Sequence, residues 1–416
     1  MNDTKNTELH VVQAKPNPRP NLHPVRQSLE EPDLMLELEE KIQRHKKQFW
    51  QHTIVGTVAI ILVVVGTYLM VELQTYNTVR VLSTFEEKGM SNSGYVEFAN
   101  GIMKYSRDGV SLKNDKGKEM WNQPCQIKNP MVNIYEDSAV VADKGGNDML
   151  VFDKKGLKGE IHTTLPIEKV VVSGQGIVSA VLKDGPTPHV MCYDAAGNLL
   201  AEQKASISGT GYPVDIAISE NGCLLLVSYL RVQGGVVTTK IVYYNLQNSE
   251  KKKTTSHQAV GKDYQNEIMP SVFFMDAQTS VVVGNSSLII YKGESDPKVA
   301  SELKINKEIK SVFHNNHYIG LILKNQGQVG NELRLYNKEG KVVLTKNVSG
   351  EYANIKIAGR RIIMYDGKKC CIYKKSGVLE FKGELDVDAL EITPIAGVNK
   401  YIVMSASGME QIRFVK

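Results

Sequence analysis

The chain has 416 residues, an apolar fraction of 42% and only two tryptophans, a composition typical of a globular protein and unlike a disordered or collagen-like chain. Its formal charge is +5, but residues 1–52 carry eight basic and eight acidic side chains, and the remaining chain carries 42 bases against 37 acids. So small an excess predicts no nucleic-acid partner. The length leaves room for a tail, an anchor and a packed domain.

Residues 1–27 contain Pro16, Pro18, Pro20 and Pro24 among polar side chains and show no apolar period. A segment of this kind has nothing to bury. We therefore predict a disordered cytoplasmic tail.

Residues 28–52 are predicted to form a juxtamembrane helix. Ser28 and Glu31 have the spacing of a capping box, and Glu40 with Arg44 forms one of two i,i+4 ion pairs. Apolar side chains of this helix lie near one stripe. In a functional interpretation, the stripe contacts a partner helix or lies in the membrane interface. The simpler interpretation, a solvated helix that only sets topology, is favoured.

A transmembrane helix is predicted over residues 53–71, because these 19 residues include no ionisable side chain and nearly span a hydrocarbon core. The alternatives are a buried core helix and a cleaved signal peptide. A core helix is rarely apolar on every side, and a signal peptide has a shorter apolar run and fewer preceding residues. We interpret the segment as an uncleaved signal-anchor whose first partner is the lipid bilayer.

The charges that flank the apolar segment predict its orientation. Lys41, Arg44, Lys46 and Lys47 precede it closely, whereas Glu72 follows it. Basic residues favour the cytoplasmic side. We expect a single-pass membrane protein with a cytoplasmic N-terminus and an extracytoplasmic C-terminal domain at the cell envelope.

Residues 72–94 are predicted to be a linker with a candidate closing strand. Residues 95–416 are predicted to form an extracytoplasmic β-propeller, an all-β domain. Short apolar strands alternate with Gly, Asn and Asp turns. One phrase recurs, an apolar strand followed by a polar turn that ends in glycine. Its copies end at Gly117, Gly156, Gly197, Gly340 and Gly377.

The repeat interval predicts the number of blades. Successive copies are about 40 residues apart, which is the length of one four-stranded blade. Related phrases near 246, 293 and 416 bring the total to eight units, with seven as the alternative because the first copy is incomplete. The segment Thr78–Phe85 is a spare strand that would close the last blade.

The segment Ile102–Trp121 is similar to a blade of quinoprotein-like propellers, in which a turn glycine leads into a strand that ends in tryptophan. The order of Pro-rich tail, basic helix, single span and degenerate propeller resembles a clostridial family of single-span membrane propellers catalogued as a domain of unknown function (5711). The resemblance implies an envelope location and supplies no activity.

The five cysteines are scattered without the regular spacing of a disulfide framework or a zinc knuckle. We interpret them as small buried residues, with one disulfide as the alternative. The adjacent pair invites comparison with the vicinal disulfide of some quinone-dependent propeller enzymes, but the blade tryptophans of such a site are missing. Neighbouring strand residues should instead enter opposite packing layers. The cysteines are Cys125, Cys192, Cys223, Cys370 and Cys371.

Three other patterns are candidate sites. His314 and His317 bracket a turn without a third metal ligand, the loop Asp143–Asp148 lacks the alternating acids of a calcium loop, and Lys251–Lys253 lie in a polar loop. Each pattern is best explained as a surface turn. We therefore predict no catalytic, cofactor-binding or metal-binding residue and no cofactor.

Three functions remain as hypotheses. The first is a non-catalytic binding or scaffold module for an envelope protein or wall glycan, whose oligomeric state is left open. The second is an envelope enzyme, a glycan-directed hydrolase or lyase with dispersed carboxylates in the propeller channel. The third is a sensor that signals through the juxtamembrane helix. The sequence favours a protein that is not an enzyme.

Overall fold

The computed structural model describes residues 31–86, 93–247, 257–327 and 329–416. The chain divides between Val71 and Glu72 into two compact units. The predicted tail, Ser28 and the lysines Lys251–Lys253 lie outside the described residues.

Helix α1 spans Glu31–Glu72 and has 42 residues. Of the helices in the described ranges, it alone is long and apolar enough to cross a membrane, and none of its apolar window is buried. The hydroxyls of Thr57 and Thr67 donate hydrogen bonds of 2.8 and 2.9 Å to carbonyls four residues earlier. These bonds satisfy the two threonine hydroxyls within the helix itself.

The second unit is a propeller of eight blades, each a four-stranded antiparallel sheet. The prediction of a propeller is confirmed, with eight blades and not seven. In blades 1 to 7 the strands pair in chain order, so each blade is a meander with three successive hairpin turns. This local pairing explains why the sequence repeats once per blade.

Blades 1 to 3 contain strands β2 to β13 in chain order. Blade 1 consists of β2 Gly94–Phe98, β3 Gly101–Tyr105, β4 Gly109–Lys113 and β5 Glu119–Pro124. Blade 2 consists of β6 Pro130–Tyr135, β7 Ser138–Asp143, β8 Asp148–Asp153 and β9 Gly156–His162. Blade 3 consists of β10 Ile167–Val172, β11 Val178–Leu182, β12 His189–Tyr193 and β13 Leu199–Lys204.

Blades 4 to 6 include the longest hairpin. Blade 4 consists of β14 Tyr212–Ile218, β15 Leu224–Gln233, β16 Val236–Asn245 and β17 His257–Gln265. Blade 5 consists of β18 Ser271–Phe274, β19 Thr279–Val283, β20 Ser287–Lys292 and β21 Lys298–Lys304. Blade 6 consists of β22 Ile309–His314, β23 Tyr318–Lys324, β24 Asn331–Asn337 and β25 Val342–Val348.

Blades 7 and 8 complete the ring. Blade 7 consists of β26 Asn354–Ala358, β27 Arg361–Asp366, β28 Lys369–Lys374 and β29 Leu379–Glu384. Blade 8 consists of β30 Glu391–Pro394, β31 Lys400–Ser405, β32 Gly408–Val415 and, as its fourth strand, β1 Thr78–Glu86.

The first strands of neighbouring blades contact one another and form the inner ring around a central channel. Because the strands alternate in direction, the two ends of the propeller carry different connections. We call the end with the turns after the first and third strands the first-turn face. The other end, with the turns after the second strands and the connections between blades, is the second-turn face.

The hydrophobic core lies in layers between adjacent blades. The adjacent cysteines of β28 illustrate this arrangement, because Cys370 packs in the cluster shared with blade 8 and Cys371 in the cluster shared with blade 6. All five cysteines are free thiols. Trp121 of β5 stacks on Phe152 of the next blade, with ring centroids 5.2 Å apart.

Strand β1 closes the last blade by pairing antiparallel with β32, from Thr78 opposite Val415 to Glu86 opposite Gly408. The register shifts once, between Val81 and Ser83. Val79 packs against the core between blades 7 and 8. An N-terminal strand therefore covers what would otherwise be an open sheet edge.

The residues before β1 are bound to blade 7. The Lys374 ammonium donates to the backbone carbonyl of Glu72 and lies 3.6 Å from its carboxylate. The hydroxyl of Thr75 donates to the Leu379 carbonyl at 2.8 Å, and the amide of Tyr76 donates to the Glu380 carbonyl at 2.8 Å. The chain thus enters the propeller at the third turn of blade 7, on the rim of the first-turn face.

Candidate functional site

A cleft of about 560 Å³ opens on the second-turn face between blades 6 and 7. Its floor is apolar, and the floor side chains come from strands of both blades. A cleft of this size accommodates one or two side chains of a partner. The floor residues are Ile309, Ile322, Val348, Ile355 and Met364.

The rim of the cleft is polar. Lys310 of β22 donates a hydrogen bond of 2.8 Å to Glu351, which lies in the connection between the two blades. This bond raises the pKa of Lys310 and lowers the pKa of Glu351, so both are charged at pH 7. Since the pair is open to solvent, it can exchange its partners readily. Glu308, Asn331 and Asp366 complete the polar rim.

The cleft contains no activated nucleophile among its described residues. Burial raises the pKa of the Tyr352 hydroxyl, and the neighbouring Cys371 raises it further. Burial likewise raises the pKa of Cys371. Both groups are therefore protonated at pH 7, and a neutral thiol is a weak nucleophile.

A second cavity, of about 570 Å³, lies at the channel end on the first-turn face. Lys356 of β26 occupies it and donates to Glu97 at 3.2 Å, to Thr393 at 3.2 Å and to Glu391. It thereby links blades 7, 8 and 1. Two carboxylates that could have served a glycan-cleaving site are thus ion-paired with one ammonium.

The same cavity contains both histidines singled out in the sequence. The amide of Asn316 crosses the channel from blade 6 and donates to Glu136 of blade 2 at 2.7 Å. His314 stacks on Phe273 with ring centroids 3.7 Å apart. Although its ring is exposed to the channel, desolvation by the surrounding protein lowers the pKa of His314 to about 4, so it is neutral at pH 7. These contacts brace the channel across its axis.

The loop Asp143–Asp148 is the turn between β7 and β8. Asp143 accepts a hydrogen bond of 2.8 Å from the Asn129 amide. The amide of Gly145 donates to the Ile167 carbonyl at 2.7 Å, which fixes the turn to blade 3. Within the described ranges, no group of three or more His, Cys, Asp and Glu side chains is placed to hold a metal ion.

Sequence reasoning missed the cleft. Its lining includes strands of two blades and the connection between them, and Lys310 and Glu351 are 41 residues apart. Neither residue belongs to a motif. The available signal was indirect, since residues one repeat apart lie at equivalent positions of neighbouring blades.

The fold is that of an eight-bladed β-propeller, preceded by one helix long and apolar enough to cross a membrane. The chain belongs to the family described as Family of unknown function (DUF5711), whose model matches residues 72–414. No curated protein sequence matches it significantly.

Solved structures match the chain at low sequence identity. Sqt1 from Saccharomyces cerevisiae is 13% identical with a TM-score of 0.55, and the match covers 82% of this chain and 100% of that one. BamB from Moraxella catarrhalis is 12% identical with a TM-score of 0.49, covering 81% and 100%. The Pan2 WD40 domain from Neurospora crassa is 6% identical with a TM-score of 0.43, covering 83% and 100%. The Sqt1 match supports the propeller fold alone.

Proposed function

We propose that the protein is a membrane-anchored, non-catalytic binding module of the cell envelope, with a cytoplasmic tail and an extracytoplasmic propeller that holds an envelope partner. The observation that carries the proposal is the cleft between blades 6 and 7. It combines an apolar floor with a solvent-exposed polar rim, the arrangement found at protein interaction sites.

The chemistry of the cleft favours a protein over a wall glycan. Of the five aliphatic and thioether side chains in its floor, Ile309 and Ile355 are half-buried, and an apolar side chain of a partner would cover them. Lys310 and Glu351 could then exchange their mutual ion pair for contacts with the partner backbone. A glycan would leave much of the floor without a matching apolar group.

The charge distribution supports the proposed topology. Four basic residues precede the apolar segment within about 12 residues, and the positive-inside rule places them in the cytoplasm. The propeller then lies outside, where an envelope partner is accessible.

The test fills the cleft without disturbing the core. Ala353 is exposed on the cleft rim, so Ala353→Trp should occupy the cleft and weaken partner binding about ten-fold, or about 1.4 kcal/mol. The measurement is the yield of a partner adduct in living cells that express the protein with a photo-cross-linking residue at Glu351. The adduct is identified by mass spectrometry.

Thr164→Trp is the matched control, because Thr164 is exposed on the same face in the connection between blades 2 and 3. It should leave the adduct yield unchanged. Equal adduct yields in wild type and Ala353→Trp would refute the cleft as the binding site. An adduct that consists of wall glycan would refute the protein partner.

A further inference from the structure

Within the described residues, the lysines in the turns of the first-turn face are concentrated on one arc, and Lys251–Lys253, which fall between β16 and β17 in the sequence, lie outside that part of the chain. The third turns of blades 1, 2, 6 and 7 contain seven lysines against two acids, Asp115 and Glu339. By contrast, the first turns nearer the channel contain Glu136 and Asp137. We call these lysines the basic rim. They are Lys116, Lys118, Lys154, Lys155, Lys338, Lys341 and Lys375.

Most of the basic rim is available to a partner. All its members except Lys338 are exposed. Lys338 is bound to Asp276, and Lys154 lies 3.4 Å from Asp137. Among the described residues, no ion pair involves Lys116, Lys118, Lys155 or Lys341. Their charges are therefore not neutralised by the described protein.

The basic rim flanks the point where the chain enters the propeller. Blades 6, 7, 8, 1 and 2 are consecutive around the ring, and Glu72 is bound to Lys374 and Ser376 at the third turn of blade 7. The residue before Glu72 in the sequence is Val71, the last residue of the uncharged segment. Under the proposed function, Val71 lies at the bilayer surface. The basic rim lies on both sides of the third turn of blade 7, which binds Glu72.

We propose that the basic rim binds the anionic headgroups of the bilayer in which the protein is anchored. The proposal rests on the proposed function, since it requires the segment 53–71 to span a membrane. Each lysine near an anionic surface strengthens binding by a factor of about five, so several together would hold the first-turn face on the bilayer. The second-turn face and its cleft would remain free for a partner.

The experiment uses the full chain reconstituted into vesicles of equimolar phosphatidylglycerol and phosphatidylcholine, or of phosphatidylcholine alone. A membrane-impermeant reagent acetylates exposed lysines, and mass spectrometry gives the extent of labelling at each site. Lys144 and Lys183, exposed in second turns, serve as the internal reference. Relative labelling of the basic rim should be about five-fold lower on the anionic vesicles.

A charge variant tests whether the lysine charges cause the protection from labelling. The quadruple variant Lys116→Gln, Lys118→Gln, Lys155→Gln and Lys341→Gln should restore labelling of Lys375 on anionic vesicles to the level seen on neutral ones. The matched variant Lys144→Gln with Lys183→Gln should leave Lys375 protected. All these side chains are exposed, so neither variant should unfold the protein.

The outcomes separate the two proposals. If high-salt and alkaline washing releases the protein from the vesicles, the membrane anchor of the proposed function is wrong. If the protein stays bound but its rim is labelled equally on both vesicle types, the headgroup proposal is wrong. Protection by soluble polyphosphate on neutral vesicles, without protection on anionic ones, would overturn the headgroup proposal in favour of a soluble polyanion.

Discussion

A buried carboxylate of blade 7, Glu380, pairs with Arg361 of the same blade and links it to Tyr401 of blade 8. Glu380 is fully buried and accepts hydrogen bonds of 3.1 and 2.8 Å from Arg361 and one of 2.9 Å from the Tyr401 hydroxyl. Burial and the adjacent Glu380 both raise the pKa of Tyr401, so its hydroxyl remains a donor. A carboxylate in this position depends on all of its donors, because little water reaches it.

Arg361→Met should therefore lower the free energy of unfolding by about 3–5 kcal/mol, since it leaves the Glu380 carboxylate buried without its cation. Denaturant titration in detergent micelles measures the change. Lys154→Ala removes an exposed pair at 3.4 Å and should change stability by less than about 0.5 kcal/mol. Similar losses in both variants would contradict the role assigned to burial.

The cysteines are expected to remain thiols. Burial raises the pKa of Cys192 to about 12 and also raises that of Cys370. Neither thiol should react with a water-soluble alkylating reagent at pH 8 while the protein is folded, because the thiolate is the reactive form. After denaturation without reductant, intact-mass analysis should count five alkylated cysteines. A count of three would indicate a disulfide and contradict the expectation.

At the scale of elements, the repeated phrase identified the third strand of each blade. The phrase glycines 117, 156, 197, 340 and 377 all lie in or just after the third turns and all have positive φ, from 73° to 127°. An L-residue adopts this conformation at a cost, so the turn geometry maintains the glycine at each repeat. The phrases near 246, 293 and 416 mark the third strands of blades 4, 5 and 8.

A single substitution in strand β1 tests whether this strand closes the ring at blade 8. Val79 packs against the core between blades 7 and 8, whereas Val81 is 38% exposed. Val79→Asp should lower the free energy of unfolding by about 2 kcal/mol or more, because it removes apolar contact and partly buries a carboxylate. Hydrogen exchange of the β32 amides should accelerate in the same variant.

Val81→Asp is the matched control, since it introduces the same charge two residues along the strand at a more exposed position. Its stability should change by less than about 0.5 kcal/mol. If both variants exchange their β32 amides at the wild-type rate, β1 does not hold the blade closed.

At the scale of the whole molecule, the sequence predicted the architecture better than the sites. Blade number follows from local hairpins, whose strands are close in sequence and whose turns have a recognisable chemistry. The contacts that shape the cavities are not local. Lys356 contacts Glu97 across 259 residues, and Asn316 contacts Glu136 across 180. No pattern in one sequence indicates such pairs, because only closure of the ring brings them together.

The orientation of the anchor has its own test. A protease added to intact cells should degrade or release chain after Glu72 and spare an epitope within residues 1–27. Immunoblotting for that epitope measures the protected fragment. Loss of the epitope with an intact propeller would show that the chain has the opposite orientation.

The pairing of β1 with β32 also fixes the order of events during biosynthesis. Thr78 bonds to Val415 across 337 residues, so a strand that leaves the ribosome early must wait, unpaired, for one made much later. At about 5–20 residues per second, that delay is on the order of 15–70 seconds. Throughout it, β1 has no partner because the other three strands of blade 8 are not yet all made, and the ring stays open. A nascent chain halted before β32 would expose an apolar strand to aggregation or proteolysis, and closure thereby distinguishes finished chains from unfinished ones.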